Sequence, residues 1–452
     1  MTQPIPFFLS LTLALAGCAD FDPPPARNAA ETLAPPAQFA AGQSGPTTLV
    51  TGLLDLFDDT ALNAVVARAL ENNPDIHTAA LQMQLAGYSV QTSSAALVPQ
   101  VNGTFSTTRT GGSGVTAGTQ RPALDVSWEV DLWGRLRDTR TAARTDARAQ
   151  GDNLRAVRAS VAAQVMQGWF EYARATQAIA LENQRLNGLK RREDLVRQNY
   201  RGGVGNLDDL AAIERDVALS QEVVLTHRGA RNDAARGLEL LLGEYPDGVI
   251  SGQPRLPRLN AAPRAGIPVD ILTERPDLRA AWAGVEAADR RIAVAQKDLL
   301  PRINLTGSLG ATSADFSNLL SGATIWSLAG NLTAPIFDGT RRRTEILASR
   351  NRADQAWITY LQTALRAFSE VERALDQERL LRAREADLRT AVQHAERTAD
   401  LFDTRYQAGL ASILELLGAQ NSVFGIRAQL LAVRSARLNN RVALALALGK
   451  EV

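Results

Sequence analysis

The chain has 452 residues, with 49 Lys or Arg against 48 Asp or Glu, and a net charge of +1 that leaves no electrostatic footprint for nucleic acid. Its one cysteine, Cys18, excludes an intrachain disulfide and a thiolate metal site, and His77, His227 and His394 stand far apart. Neither Gly-x-Ser-x-Gly nor a phosphate-loop Gly-Lys-Ser/Thr is present, so an enzyme has little to rest on.

The first predicted element is the apolar run from Phe7 to Ala16, too short to span a bilayer and of the length of a signal-peptide core. It ends Leu15-Ala16-Gly17-Cys18, a small pair before a thiol that resembles the lipobox of bacterial lipoproteins. Residues 1–17 therefore read as a lipoprotein signal peptide, and Cys18 as the carrier of diacylglycerol and an N-acyl lipid. No Lys or Arg occurs in 1–17, which departs from the basic start of such signals. Ala19 follows the cysteine where an Asp would hold such a protein back, so the resemblance favours the outer membrane. The Pro-, Ala- and Gly-rich stretch that follows reads as an extended tether within 18–59.

From residue 60 onward the chain repeats itself. Asn73-Pro74-Asp75-Ile76 is matched by Arg275-Pro276-Asp277-Leu278, and Leu97 to Asn102 by Leu299 to Asn304. Tyr200-Arg201-Gly202-Gly203 is matched by Tyr406-Gln407-Ala408-Gly409, and Leu242-Gly243 by Leu448-Gly449. Matching landmarks in one order mark a two-fold internal repeat, 60–243 and 267–452, with a linker at 244–266. Each copy reads as short helix, hairpin, long helix, final helix.

The helices are expected at 75–98, 135–201 and 207–242, and again at 277–300, 341–406 and 413–448. The two long stretches contain no proline and are dense in Ala, Leu, Arg, Glu and Gln. Val157, Val161, Val165, Trp169 and Tyr172 form one apolar stripe at helical spacing. Ile358, Leu361, Leu365 and Phe368 form another, and both read as helix–helix core. At 1.5 Å per residue each long helix measures roughly 100 Å, and a short plus a final helix nearly matches it. Two half-helices stacked beside one long helix, twice over, make rods suited to the wall of a tube.

The strands are expected near 101–108, 122–133, 303–312 and 325–337. Leu124, Val126, Trp128, Val130 and Leu132 alternate with Asp125, Ser127, Glu129 and Asp131, as in a strand with lipid on one face and water on the other. Gly-, Ser- and Thr-rich loops are expected at 109–120 and 313–324, and Trp133, Trp326 and Phe337 sit at strand ends, where aromatic belts lie. Four strands fall short of the roughly eight that the smallest membrane barrels need, and open edges do not survive in lipid, so several chains must pool strands. The alternating hairpins also weigh against a lipid-tethered periplasmic coiled coil.

The runs Ser127-Trp128-Glu129-Val130-Asp131-Leu132-Trp133-Gly134-Arg135 and Pro335-Ile336-Phe337-Asp338-Gly339-Thr340-Arg341-Arg342-Arg343 resemble the TolC-like outer-membrane efflux proteins. So do Thr273 to Leu278 and Arg405 to Gly409. The branch resembled is the NodT-type lipoproteins that serve resistance-nodulation-division (RND) pumps. The resemblance implies an α+β membrane protein: a homotrimeric 12-strand barrel, four strands per chain, continued by a long periplasmic α-helical tunnel with an equatorial belt. It implies a passive exit duct for drugs or other small toxic compounds, docked to a periplasmic adaptor and an inner-membrane RND pump, with no catalysis and no cofactor beyond the lipid on Cys18. The alternative is a duct for heavy-metal ions or for type I protein secretion.

By the same resemblance the adaptor meets the turns at Gly203, Val204, Gly409 and Leu410. These turns read equally as plain helix C-caps. A periplasmic gate is implied at Asp208, Asp209, Tyr406, Leu414 and Glu415, with Gly418 where relatives often carry Asp. For Asp208 and Asp209 a second reading stands, as charges that complement a helix N-terminus.

Overall fold

The computed structural model describes residues 23, 25–42, 47–48, 50–112, 115–250, 254–259, 261–314, 316 and 324–452. Cys18 and the signal-peptide reading lie outside the described residues. Two short elements, α1 (Ala29–Leu33) and β1 (Thr47–Thr48), precede a 3-10 turn at Leu53–Leu56 and α2 (Thr60–Asn72). Then come α3 (Pro74–Ala95), β2 (Gln100–Gly112), β3 (Val115–Val130), α4 (Arg135–Arg201) and α5 (Leu207–Leu241). The same order returns as β4 (Ala262–Pro263), α6 (Ile271–Glu274), α7 (Pro276–Lys297), β5 (Arg302–Ala311), β6 (Thr324–Thr333), α8 (Arg341–Gln407) and α9 (Ile413–Ala447). Two compact units divide the chain, and α3, α4, α7 and α8 each run from one into the other.

The first unit holds residues 81–152 and 278–363 with the N-terminal 33. Its four-stranded antiparallel sheet has the order β2-β3-β5-β6. β3 stops three residues and β6 four residues earlier than the alternation suggests. Asp131 turns from strand to cap, its carboxylate accepting the amides of Leu136 (3.0 Å) and Arg137 (2.9 Å) to start α4. Asp338 accepts the Arg342 amide at 3.3 Å to start α8, and Pro335 before it has no N–H to give a ladder. In the first hairpin, much of the expected loop is paired strand: Arg109 opposes Gly118, and Thr107 opposes Gln120. Threonines and serines there serve as ladder residues, so their loop-like composition misleads.

The N-terminal stretch is pinned rather than free. The Arg27 side chain is buried, pairs with Asp354 (3.0 Å) and Asp289 (3.6 Å), and lies 5.7 Å from the centre of the Trp357 ring. The second apolar stripe needs correction. Ile358 and Leu365 are half exposed, and the buried line on α8 runs Ala353 and Tyr360 in this unit and continues at Ala364 in the other. Alanine lets a neighbouring backbone approach closely, so Ala353 and Ala364 take the seam together with Tyr360, while Ile358 and Leu365 flank it.

The second unit holds residues 34–80, 153–277 and 364–452. Its core gathers Trp169, Phe170, Val161, Val165 and Met166 of α4 with Leu62 and Val66 of α2, Leu238 of α5 and Val442 of α9. Phe57 meets Phe170 edge-on at 5.1 Å. Here the first stripe is core, with Val157 and Tyr172 packed on its margin. Phe39 is buried, and the amides of Ala40 and Ala41 donate to the Glu372 carboxylate at 2.7 and 2.8 Å.

Two end-to-end helix junctions sit in this unit. Asn73 caps α3 by accepting the amides of Asp75 (2.9 Å) and Ile76 (3.2 Å), while its Nδ2 donates to the Leu241 carbonyl at 2.8 Å. At the matching place Arg275 Nη1 donates to the Ala447 carbonyl at 3.0 Å. Gly243 and Gly449, both at positive φ, let the chain leave each junction.

Candidate functional site

The sheet presents two chemically distinct faces. In register, Val101, Val126, Gly307 and Leu328 form one row, and Gly103, Leu124, Leu309 and Trp326 the next. The alternate rows are Asn102, Asp125, Ser308 and Ser327, then Glu129, Asn304 and Asn331. On the apolar face Val101, Phe105, Leu124, Trp326 and Leu328 are all more than half exposed. A contiguous apolar patch backed by a polar face is the mark of a sheet with lipid on one side and water on the other. On the polar face Thr104 Oγ1 donates to Asp125 at 2.6 Å, and Arg121 donates to the Ser308 hydroxyl at 2.6 Å. No helix among the described residues is long and apolar enough to cross a membrane. Trp326 lies inside β6, whereas Trp133 and Phe337 lie beyond the strand ends, and Trp133 donates to the Pro301 carbonyl at 2.7 Å.

At the other landmark, α4 closes on a glycine turn. Gly203 has φ +76°, and the amides of Val204 and Gly205 both donate to the Asn199 carbonyl at 3.0 Å. A Cβ on Gly205 would fall 2.9 Å from the Tyr200 amide nitrogen, so a side chain has no room there. The turn after α8 repeats this with Gly409 at φ +70° and Leu410 donating to the Arg405 carbonyl at 2.8 Å. These are helix C-caps, and each thrusts an apolar side chain outward: Val204 is 81% exposed and Leu410 78%.

Next to the turns an apolar seam of Leu189, Val196, Leu210, Ile213, Val217, Ile413, Leu416 and Leu417 joins the helices. Tyr406 packs on its edge. Burial, then the Asp209 carboxylate, push its hydroxyl pKa up, while Arg192 pulls the other way. The structure thus brings Asp209, Tyr406 and Arg192 into one neighbourhood, and Arg192 also pairs with Asp403 at 3.4 Å. Asp208 is exposed, and Asn206 caps α5 by accepting the Asp209 amide at 2.7 Å.

Glu415 has a second occupation. Its carboxylate accepts the Ser412 amide (2.8 Å) and hydroxyl (2.9 Å), while the Ser412 oxygen accepts the Glu415 amide at 3.2 Å. This reciprocal cap lowers the carboxyl pKa and ties Glu415 to the start of α9. Leu414 is half exposed, and a Cβ at Gly418 would meet open space.

Sequence reasoning missed Arg192, Asp403 and a polar cluster behind them. Ser220 donates to Glu182 at 2.5 Å, Arg185 to Glu182 and Asn421, and Asn421 to Asp216 at 3.4 Å. These residues sit on three helices, and beyond the i,i+3 pair of Glu182 and Arg185 no local spacing joins them.

Comparison with known proteins agrees with this geometry. The sequence profile described as "Outer membrane efflux protein" matches twice, at residues 65–244 and 267–450. The chain is 27% identical to the "Cation efflux system protein CusC" of Escherichia coli O6:H1, over 98% of each chain. It is 26% identical to the "Probable outer membrane lipoprotein SilC" of Salmonella typhimurium, over 98% of this chain and 97% of that one. A solved membrane protein from Pseudomonas aeruginosa superposes with a TM-score of 0.86 at 28% identity, over 94% of this chain and 99% of that one. With the match repeated on both sides of the linker, the chain belongs to the outer membrane efflux protein family and serves as an outer-membrane efflux channel.

Proposed function

We propose that this chain forms the outer-membrane exit duct of a tripartite pump, as a homotrimer whose twelve strands close one barrel over a periplasmic helical tunnel. The single observation that carries this is the sheet: one lipid-compatible face, one polar face, and two outer edges, on β2 and β6, with no partner strand among the described residues. Those edges must be paired before the sheet can sit in lipid. Residues 1–17 are removed and Cys18 carries the lipid, a reading supported by the likeness to SilC. Segment 18–59 is the lipidated tether and equatorial segment, and 244–266 the equatorial linker between the repeats, 60–243 and 267–452.

The duct does no chemistry on its cargo. Val204 and Leu410 on their glycine caps receive a periplasmic adaptor, which links the duct to an RND pump exporting small toxic compounds. The likeness to CusC favours a second reading, in which the cargo is a metal cation.

Asp208, Asp209, Tyr406, Leu414 and Glu415 form the resting gate, with Asp209 as its charge and Tyr406 as its latch. In planar bilayers the Asp209→Asn trimer should lose cation preference, because three carboxylates leave one axis. Tyr406→Phe should instead raise the open fraction with selectivity unchanged. An unaltered cation-to-anion permeability ratio in Asp209→Asn would make Asp209 a helix-start charge facing bulk water.

A further inference from the structure

We infer that the second unit carries a binding site for a free multivalent oxyanion, between residues 256–259 with Ala261 and helices α8 and α9. The cavity there has a volume of about 650 Å³, and six arginines line it against two glutamates: Arg258, Arg382, Arg389, Arg434, Arg437 and Arg441 with Glu378 and Glu385. Among the described residues no other acidic side chain lines it. Gln177 and the apolar Leu256, Pro257, Leu259, Ala261 and Leu438 complete the wall.

The two glutamates are already committed. Glu378 accepts from Arg437 Nη2 (2.9 Å), Arg441 Nη2 (2.9 Å) and Arg441 Nε (3.1 Å). Glu385 accepts from Arg389 and Arg437 and lies 3.4 Å from Arg434 Nε. Both carboxylates are almost fully buried, and each is already held by two arginines through hydrogen bonds. Arg258 and Arg382 make no hydrogen bond or ion pair among the described residues. Arg437 has only 12% of its side chain exposed, and its Nε–H is buried without an acceptor. A buried, unpartnered N–H costs about 1–3 kcal/mol, and beside it the exposed Arg258 and Arg382 guanidiniums that line the cavity are open to an acceptor.

Two features set the chemistry of that acceptor. The guanidinium fork matches paired oxygens of phosphate or carboxylate groups. The surplus of cations favours a ligand with more than one negative charge, and the apolar wall lowers the local dielectric and strengthens each contact. Neither the family profile nor the duct reading supplies a role for this cluster, and the gate residues do not touch it.

Pyrophosphate is the probe. Isothermal titration calorimetry of the detergent-solubilised full chain should show one pyrophosphate bound per chain at low salt, with affinity falling as salt rises. Arg382→Gln and Arg258→Gln remove cations that pair with nothing else among the described residues, so both variants should fold and each should bind at least about 10-fold more weakly, the loss of one charge-assisted pair. Arg255→Gln, on the same segment but outside the cavity lining, should bind as the parent does. Pyrophosphate should also raise the unfolding temperature of the parent and not of the Arg258→Gln, Arg382→Gln double variant. Absence of binding by the parent overturns the site. So does binding that is unchanged in both single variants, or equally weakened by Arg255→Gln, which would mark general attraction to a basic surface.

Discussion

The junctions at Asn73 and Arg275 solve one geometric problem with different chemistry. In each, the residue before a proline reaches a carbonyl in the last turn of a final helix, Leu241 in one and Ala447 in the other. Asn73 does this as a neutral amide that also caps its own helix. Arg275 does it as a charge, and spreads its other donors over Asp277 (3.0 and 2.7 Å) and Glu370 (2.7 Å). Burial works against that charge, but its two acidic partners outweigh burial and raise its pKa further. The contrast extends along the helices. Where the second family match, 267–450, has Glu378, Glu385 and Arg441, the first, 65–244, has Tyr172, Ile179 and Ala235 at the positions 206 residues earlier. One matched region carries ion pairs at this level where the other has apolar and aromatic residues, so like backbone order does not oblige like energetics.

The largest expected effect breaks the symmetry at the two glycines. An added Cβ on Gly243 would stand 2.6 Å from the Asn72 carbonyl oxygen, whereas on Gly449 it would stand 3.1 Å from Arg275. Both substitutions carry a left-handed backbone penalty of about 1 kcal/mol, and the closer contact adds overpacking of roughly 1–3 kcal/mol. Gly243→Ala should therefore lower the thermal midpoint, followed by circular dichroism, clearly more than Gly449→Ala. Equal shifts would mean that the first junction relaxes freely.

A smaller effect separates amide from guanidinium. Asn73→Ala should cost about 1–2 kcal/mol through the lost cap and carbonyl bond. Arg275→Met should cost a similar amount at low salt, because Asp277 and Glu370 are 38% and 45% exposed and regain water. Denaturant titrations at ~0.5 M salt should shrink the Arg275 cost and leave the Asn73 cost alone. Parallel salt responses would erase the distinction.

The smallest effect is in acid. Burial raises the pKa of Glu378 and Glu385, but hydrogen bonds and charge from Arg441, Arg437 and Arg389 outweigh it and leave both below the ordinary value. Their stabilisation is complete above the unfolded carboxyl value of 4.5 and fades as pH falls through the lower folded values. Glu378→Gln should flatten the stability loss below about pH 4.5, while Tyr172→Phe should leave that limb unchanged. A Tyr172→Phe limb as flat as that of Glu378→Gln would show that the acid response is not local to the ion pairs.

Legibility in the sequence followed the range of the interaction. Pro74, Pro276 and the glycines after α4, α5, α8 and α9 mark helix ends because their backbone preferences act within a residue or two. The two-faced sheet was readable for the same reason, since alternation is a local period. The carbonyl that Asn73 or Arg275 would grip could not be read, because it lies about 170 residues away in a packing that no period encodes. Bulk misled at Ile358 and Leu365, where the seam belongs to alanines of the same period. At the candidate gate, Tyr406 was visible beside its glycine turn, but Arg192 and Asp403 act across helices and carry no local signature.

The edges of β2 and β6 bear on how copies of the proposed duct are counted. An edge-to-edge contact of this kind is head-to-tail: each copy offers one edge and accepts another, and the contact itself contains no instruction to stop. A fourth copy meets the same chemistry as a third. What ends the addition must be curvature, because only when the sheets have turned through a full circle does the last free edge find the first. A flat sheet with the same residues would grow into a ribbon. On this view the twist of four strands acts as a stopping rule, and a substitution that flattens β2 to β6 would change the product from a closed ring to an open polymer without weakening a single strand pair.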